Sequence, residues 1–154
     1  MKILLFLEEA AVLEETISLC YLALAERAAE TALRREFERL AEEENNHALV
    51  IRTGKNYVRK EPDLFGDAMI DMTELQAGLK LVRAVLETIR AGTSAFPDSV
   101  RRMRDIESRF EKLHMATVMP VRDESLRELF RQLARDDRDH GLVLDRILAE
   151  AAPR

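Results

Sequence analysis

Apolar residues recur along the chain at alternating steps of three and four, the spacing of a helix that buries one face. Between residues 3 and 28 the stripe is Ala10, Glu14, Ile17, Tyr21, Leu24 and Ala28, with no Gly or Pro to interrupt it. Thr31 is the expected N-cap of a second helix over 32–53, with Gly54 in the terminating position. Its stripe is Leu33, Phe37, Leu40, Glu44, His47 and Ile51. Residues 54–72 hold Gly54, Pro62 and Gly66 and read as an irregular connection with a helical turn around Leu64 to Ile70. Thr73 to Gln76 has the form of a capping box and opens a helix over 74–91, whose apolar face is Leu75, Leu79, Val82, Leu86 and Ile89. After the break from Gly92 to Pro97, a helix over 98–119 carries Met103, Ile106, Glu107, Phe110, His114 and Val118, and Pro120 ends it. A last helix over 124–150 presents Leu126, Phe130, Leu133, Asp137, His140 and Leu144, and a short frayed tail follows.

Besides His114, six polar residues stand in stripes that should face a core: Glu14, Glu44, His47, Glu107, Asp137 and His140. They are related by one offset. Moving the chain by 93 residues (137 − 44) carries Glu14 onto Glu107, Glu44 onto Asp137 and His47 onto His140 without a gap. The same shift pairs Ala23 with Ala116, Leu33 with Leu126, Arg34 with Arg127 and Phe37 with Phe130. It also pairs Leu40, Ala41, Leu49 and Val50 with Leu133, Ala134, Leu142 and Val143. The chain therefore contains an internal duplication. Two repeated helix pairs, each closed by a short turn and so antiparallel, joined by a long connection with its own helix, predict an all-α four-helix bundle. At 154 residues this is the size of a single domain, 1–154.

Composition narrows the function. Charged residues make up 34% of the chain and hydrophobic ones 47%, which suits amphipathic helices. The net charge of −5, with no basic stripe, argues against nucleic acid as partner. A single cysteine, Cys20, leaves no disulfide framework and no cysteine-based zinc or iron–sulfur site. The apolar run from Ile3 to Leu7 meets Glu8-Glu9 at once, too short for a signal or membrane segment, so the cytoplasm is the expected compartment.

Acid-x-x-His places a carboxylate and an imidazole on one helix face, a metal-binding half-site. Brought to the middle of a bundle, two such half-sites with Glu14 and Glu107 gather four carboxylates and two imidazoles. Buried, those carboxylates need counter-charge. Two divalent ions balance them, and an oxygen-rich set with two nitrogens suits iron or manganese, with zinc also compatible.

The pattern Glu14, Tyr21, Glu44-x-x-His47, Glu107, Asp137-x-x-His140 resembles the ferritin-like di-iron carboxylate superfamily, and Glu14 to His47 most resembles rubrerythrin-type proteins. The resemblance spans residues 5 to 53 and 99 to 148. It implies Glu14 and Glu107 as terminal carboxylates, Glu44 and Asp137 as bridging ones, and His47 and His140 as one terminal ligand per ion. Tyr21 would be a hydrogen-bond partner one helical layer away. The implied chemistry is reaction of a pair of irons with dioxygen or hydrogen peroxide, with ferroxidase, peroxidase or oxidase outcome. The alternative is a non-catalytic bundle for iron storage or partner binding.

A missing domain and three positions depart from the rubrerythrin pattern. With only Cys20 the chain holds no rubredoxin domain, so electrons would come from a separate donor. Phe110 stands where rubrerythrins have a further Glu, Asp137 replaces Glu, and His114 takes the position equivalent to Tyr21. His114 is either a third nitrogen ligand or a hydrogen-bonded neighbour. Asp136 and Asp139 read as solvated, with Asp136, four residues before His140, a reserve ligand, while Glu42, Glu43 and Glu111 belong to exposed faces and Met69, Met72, Met103, Met115 and Met119 read as core. A homodimer through a further apolar face of the 74–91 helix is expected.

Overall fold

The computed structural model describes residues 2–65, 72–118 and 121–151, and all regular structure among them is helical. The order is α1 (Lys2–Arg27), α2 (Thr31–Lys60), a 3-10 turn at Pro62–Phe65, α3 (Met72–Ala91), α4 (Phe96–Val118) and α5 (Glu124–Ala151). Among the described residues no helix is long and apolar enough to cross a membrane. Most of the expected turn at Leu64 to Ile70, the turn at Pro120 and the end of the tail lie outside the described residues.

Three helix ends differ from the sequence expectation. Glu30, extended at φ −93° and ψ 135°, precedes α2 without a side-chain cap, and its carbonyl accepts from the Arg34 N–H at 3.0 Å. Thr31 is therefore the first helical residue, not the cap. Gly54 does not stop α2 but lies buried within it, facing α5: a Cβ at Gly54 would meet Leu126 and Leu129 at 3.5 and 3.6 Å, ordinary contact distances. The helix ends instead at Glu61, which Pro62 forces out of helical geometry, at φ −130° and ψ 73°. Thr73 lies inside the first turn of α3, so the capping box is displaced as well.

Other ends follow local chemistry. Gly92, at φ 66°, closes α3 with its N–H on the Ile89 carbonyl and the Thr93 N–H on that of Thr88, both at 3.2 Å. Pro97 sits in the first turn of α4, where its missing N–H costs nothing. Asp123 caps α5 by accepting from the Leu126 N–H at 2.9 Å.

Helices α1 and α2 pack along each other, as do α4 and α5, while α3 lies against α1 and, over a shorter length, α4. Arg52 bonds Glu15 and Lys55 bonds Glu8, so residue numbers rise on one helix as they fall on the other. Arg104 with Asp145 and Arg138 with Glu111 give α4 and α5 the same antiparallel sense. Such exposed pairs contribute little energy but mark the register. Backbones of α1 and α4, and of α2 and α5, approach closely at few points. Side chains rather than backbone contact therefore join the two hairpins.

The apolar face of α3, with Leu75, Leu79, Val82, Val85, Leu86 and Ile89, is buried within the chain itself, and Leu81 is the large apolar residue this helix leaves exposed. Gly78 makes the fit to α4 possible. A Cβ there would stand 2.7 Å from the ring of Phe110, which is itself buried. Gly78→Ala should lower the free energy of unfolding by about 1–3 kcal/mol through overpacking. Gly54→Ala, with room for its methyl, should be neutral or raise it by about 0.5–1 kcal/mol through helix propensity. Denaturant titration of both variants measures the contrast, and equal effects at the two sites would contradict it.

Candidate metal centre

All six stripe-interrupting residues are buried and converge between the hairpins. α1 supplies Glu14, α2 Glu44 and His47, α4 Glu107, and α5 Asp137 and His140. Their ligand-type atoms form two sets that could each hold a metal ion, with atoms inside 4.8 Å of one another. One set is Glu14, Glu44, His47 and Asp137, and the other is Glu44, Glu107, Asp137 and His140. Glu44 and Asp137 belong to both. The shorter Asp137 thus contributes an atom to each candidate set.

The arrangement keeps the two-fold character of the duplication. His47 turns Nδ1 inward, 3.2 Å from Glu44 Oε2 and 3.7 Å from Glu14 Oε2. His140 also turns Nδ1 inward, 2.6 Å from Glu44 Oε1 and 3.6 Å from Glu107 Oε1. The two imidazoles stack with centroids 5.5 Å apart and planes 18° from parallel. Glu44 therefore shows one oxygen to each histidine.

Behind the histidines the hairpins cross over. Nε2 of His47 bonds Asp136 Oδ2 at 3.1 Å, and Nε2 of His140 bonds Glu43 Oε2 at 2.8 Å. Glu43 and Asp136 are themselves related by the 93-residue offset, as are their own partners Arg39 and Gln132. Sequence reading treated Glu43 as solvated and Asp136 as solvated or a reserve ligand. The structure gives each the task of orienting the opposite hairpin's histidine, and the signal that could have found them was the shared offset. A cleft of about 480 Å³ opens over this edge, lined by both histidines, Glu43, Asp136, Asn46 and Asp139.

On the inner side, the Tyr21 hydroxyl donates to Glu107 Oε1 across the hairpins. His114, its counterpart by the offset, has Nδ1 2.6 Å from Asp137 Oδ2 and Nε2 3.1 Å from Glu14 Oε1. It is in neither ligand set. Phe110 fills the space one turn from Glu107 against Gly78, so no further carboxylate enters there. Cys20 lies in the core with its thiol near the Val82 carbonyl and takes no part.

Several buried atoms of the cluster make no hydrogen bond within the described residues: both oxygens of Glu14, Glu44 Oε1, Glu107 Oε2 and His140 Nδ1. Where such atoms have a neighbour, as Nδ1 of His140 has Glu44 Oε1 at 2.6 Å, the direction is wrong for a hydrogen bond. Lone pairs without protons to meet, aimed at a shared centre and shut off from water, are the signature of a cation site. The donor set of carboxylate oxygens and imidazole nitrogens fits a divalent transition metal.

The titration of the metal-free cluster reflects the same surplus of negative charge. Burial, then the charge of Glu107, pushes Glu44 up to about 8 in spite of the two histidines. Burial raises Asp137 to about 6 against the pull of His114. Burial also opposes charge on Glu14, but His114 and His47 beside it outweigh that and hold it well below the usual carboxylate range. Burial works against charged imidazoles too, yet the surrounding carboxylates prevail, lifting His114 to about 10, His140 to about 12 and His47 far above its ordinary value. Burial and then Glu107 raise the Tyr21 phenol well above its usual range.

Comparison with protein-family models, with curated proteins and with solved structures returned no match. The reading of this site rests on its own geometry.

These shifts set a pH dependence for the metal-free protein. Glu44 and the three histidines bind protons more tightly folded than unfolded, so their stabilisation is complete at low pH and lost as pH rises. Glu44 loses its share between the unfolded carboxyl value, roughly 4.3, and about 8. His114 loses its share between roughly 6.5 and about 10. Glu14 has the opposite sign, but its window lies below that of the others. The thermal midpoint of metal-free protein should therefore be lower at pH 9 than at pH 6, and a flat or rising profile would show that protons do not hold the cluster together.

Proposed function

We propose that this chain is a ferritin-like dimetal protein of rubrerythrin type. It would hold two divalent ions, iron in the first place, and use them as an oxidoreductase toward dioxygen or hydrogen peroxide. The observation that carries the reading is the pair of ligand sets sharing Glu44 and Asp137, each completed by one further Glu and one His. Four carboxylates against two divalent ions and two neutral imidazoles is an electrically balanced interior. A lone structural ion would leave half the negative charge unmatched.

In this reading Glu14 and His47 would hold one ion and Glu107 and His140 the other, with Glu44 and Asp137 available to both. Bound iron supplies one-electron exchange with an oxygen-derived oxidant. The chain's part is to orient and to exclude water. Asp136 and Glu43 fix the ring of each histidine with Nδ1 inward, and Tyr21 holds one oxygen of Glu107. Electrons for repeated turnover would come from a separate donor.

Phe110 favours a second reading, in which the bundle holds or stores metal without turnover. An apolar ring closed in by Gly78 occupies the place from which a further carboxylate could follow a change in the ions.

Metal analysis of protein from iron-supplemented cells, with an absorption spectrum before and after peroxide, separates these outcomes. About two irons per chain and a near-ultraviolet change on oxidation support the oxidoreductase. Two irons without any response to oxygen or peroxide support the second reading, and no bound metal sinks both. His47→Ala and His140→Ala should each leave a single ion, and retention of both in either variant would refute the ligand assignment. Asp136→Ala and Glu43→Ala should keep both ligands yet weaken metal affinity roughly 10- to 100-fold, as measured by competition with a chromophoric chelator.

A further inference from the structure

The duplication is broken at two places in the cluster, and the two touch. Tyr21 in the first repeat becomes His114 in the second, and Glu44 becomes Asp137. In the first repeat Tyr21 reaches across to Glu107, and the long Glu44 side chain is left with an oxygen facing each histidine. In the second, Asp137 is one methylene shorter. His114 Nδ1 meets its Oδ2 at 2.6 Å, while Nε2 stands 3.1 Å from Glu14 Oε1, the cross-hairpin contact that corresponds to Tyr21 with Glu107.

From this juxtaposition we propose that His114 is a positioning residue matched to Asp137: it ties one Asp137 oxygen and leaves the other to face the ion sites, so the two spanning carboxylates are not equivalent. The proposal rests on the dimetal reading and deepens it. Glu44 offers two oxygens to the pair of ions, and Asp137 offers one. His114 thus bonds a spanning carboxylate and stands beside Glu14, whereas Tyr21 donates to Glu107.

His114 has no alternative structural employment that explains both contacts. It is 2% exposed, its two nitrogens face carboxylates from α1 and α5, and its ring packs beside Phe130 at a centroid distance of 6.4 Å. A histidine retained only for core packing would not need both nitrogens on members of the ligand sets. His114 differs from His47 and His140 in belonging to neither ligand set, with Nδ1 bonded to the spanning Asp137.

The test is a double-substitution cycle that rewrites the second repeat as a copy of the first. His114→Tyr alone puts a longer side chain against the short acid, and Asp137→Glu alone drives a longer acid into the imidazole. Each single variant should weaken binding of at least one ion tenfold or more in ferrous or manganous titrations. The double variant should recover to within about threefold of the parent. His114→Gln, smaller than either ring, guards against simple misfolding: it should fold with unchanged helix content, keep both ions at reduced affinity, and show the parent's one imidazole per metal in X-ray absorption.

Additive single effects, or single variants that bind both ions as tightly as the parent, would overturn the matched pair while leaving the dimetal reading intact. Loss of imidazole scattering in His114→Gln would make His114 a ligand and overturn its positioning role. A parent protein that takes up no divalent ion would overturn the dimetal reading and this proposal together.

Discussion

The structure turns on an interior charge that cannot stand alone. Glu14, Glu44, Glu107 and Asp137 are each at most 2% exposed, and removal of a carboxylate from water without compensation costs several kcal/mol. Everything around them answers this constraint. The three histidines of the chain all face these four groups, and Tyr21 spends its hydroxyl on one of them. In the metal-free protein the cluster is held by protons kept on groups that would ordinarily release them. A metal ion bound here would compete with those protons for the same atoms, so its affinity would depend on pH.

Because the hairpins meet backbone to backbone at few points, the cluster is also the joint between them. The contacts that matter cross from one repeat to the other: Tyr21 to Glu107, His114 to Glu14, Glu43 to His140 and Asp136 to His47. A duplicated hairpin generates this crossing at once. Any group that reaches across from the first repeat has a counterpart that reaches back, so one favourable contact becomes two. The apolar remainder of the interface, with Phe37, Phe130 and Leu133 buried in the same stripes, supplies the non-directional part of the association.

The helices and the six converging residues were legible in the sequence because both signals are periodic. Stripe spacing identifies a buried face, and the 93-residue offset distinguishes Glu14 from its neighbour Glu15, which the structure places on the surface with Arg52. Helix ends were less legible. Gly54 carries the local chemistry of a terminator, but it is buried beside Leu126 and Leu129, more than seventy positions away in the chain, and α2 runs on to Lys60. The roles of Glu43 and Asp136 were missed for a related reason. Each is partly exposed and sits next to a core position in its own helix, so its own surroundings read as solvent. Its function comes from an imidazole on the other hairpin.

Where the two repeats differ, the difference has a direction. Behind His140, Glu43 is bonded to the Arg39 guanidinium, which draws on its negative charge. Behind His47, Asp136 is bonded to the neutral Gln132 amide at 2.8 Å and keeps its charge for the imidazole. A carboxylate with undiminished charge makes its histidine the stronger donor through Nδ1. Inside the cluster, His114 holds Asp137, which belongs to both ligand sets, and Tyr21 holds Glu107. The two halves therefore differ chiefly in what stands behind each histidine. Duplication accounts for the two-fold character of the cluster, and these four substitutions between the repeats, at 39/132, 43/136, 44/137 and 21/114, make its two halves unequal.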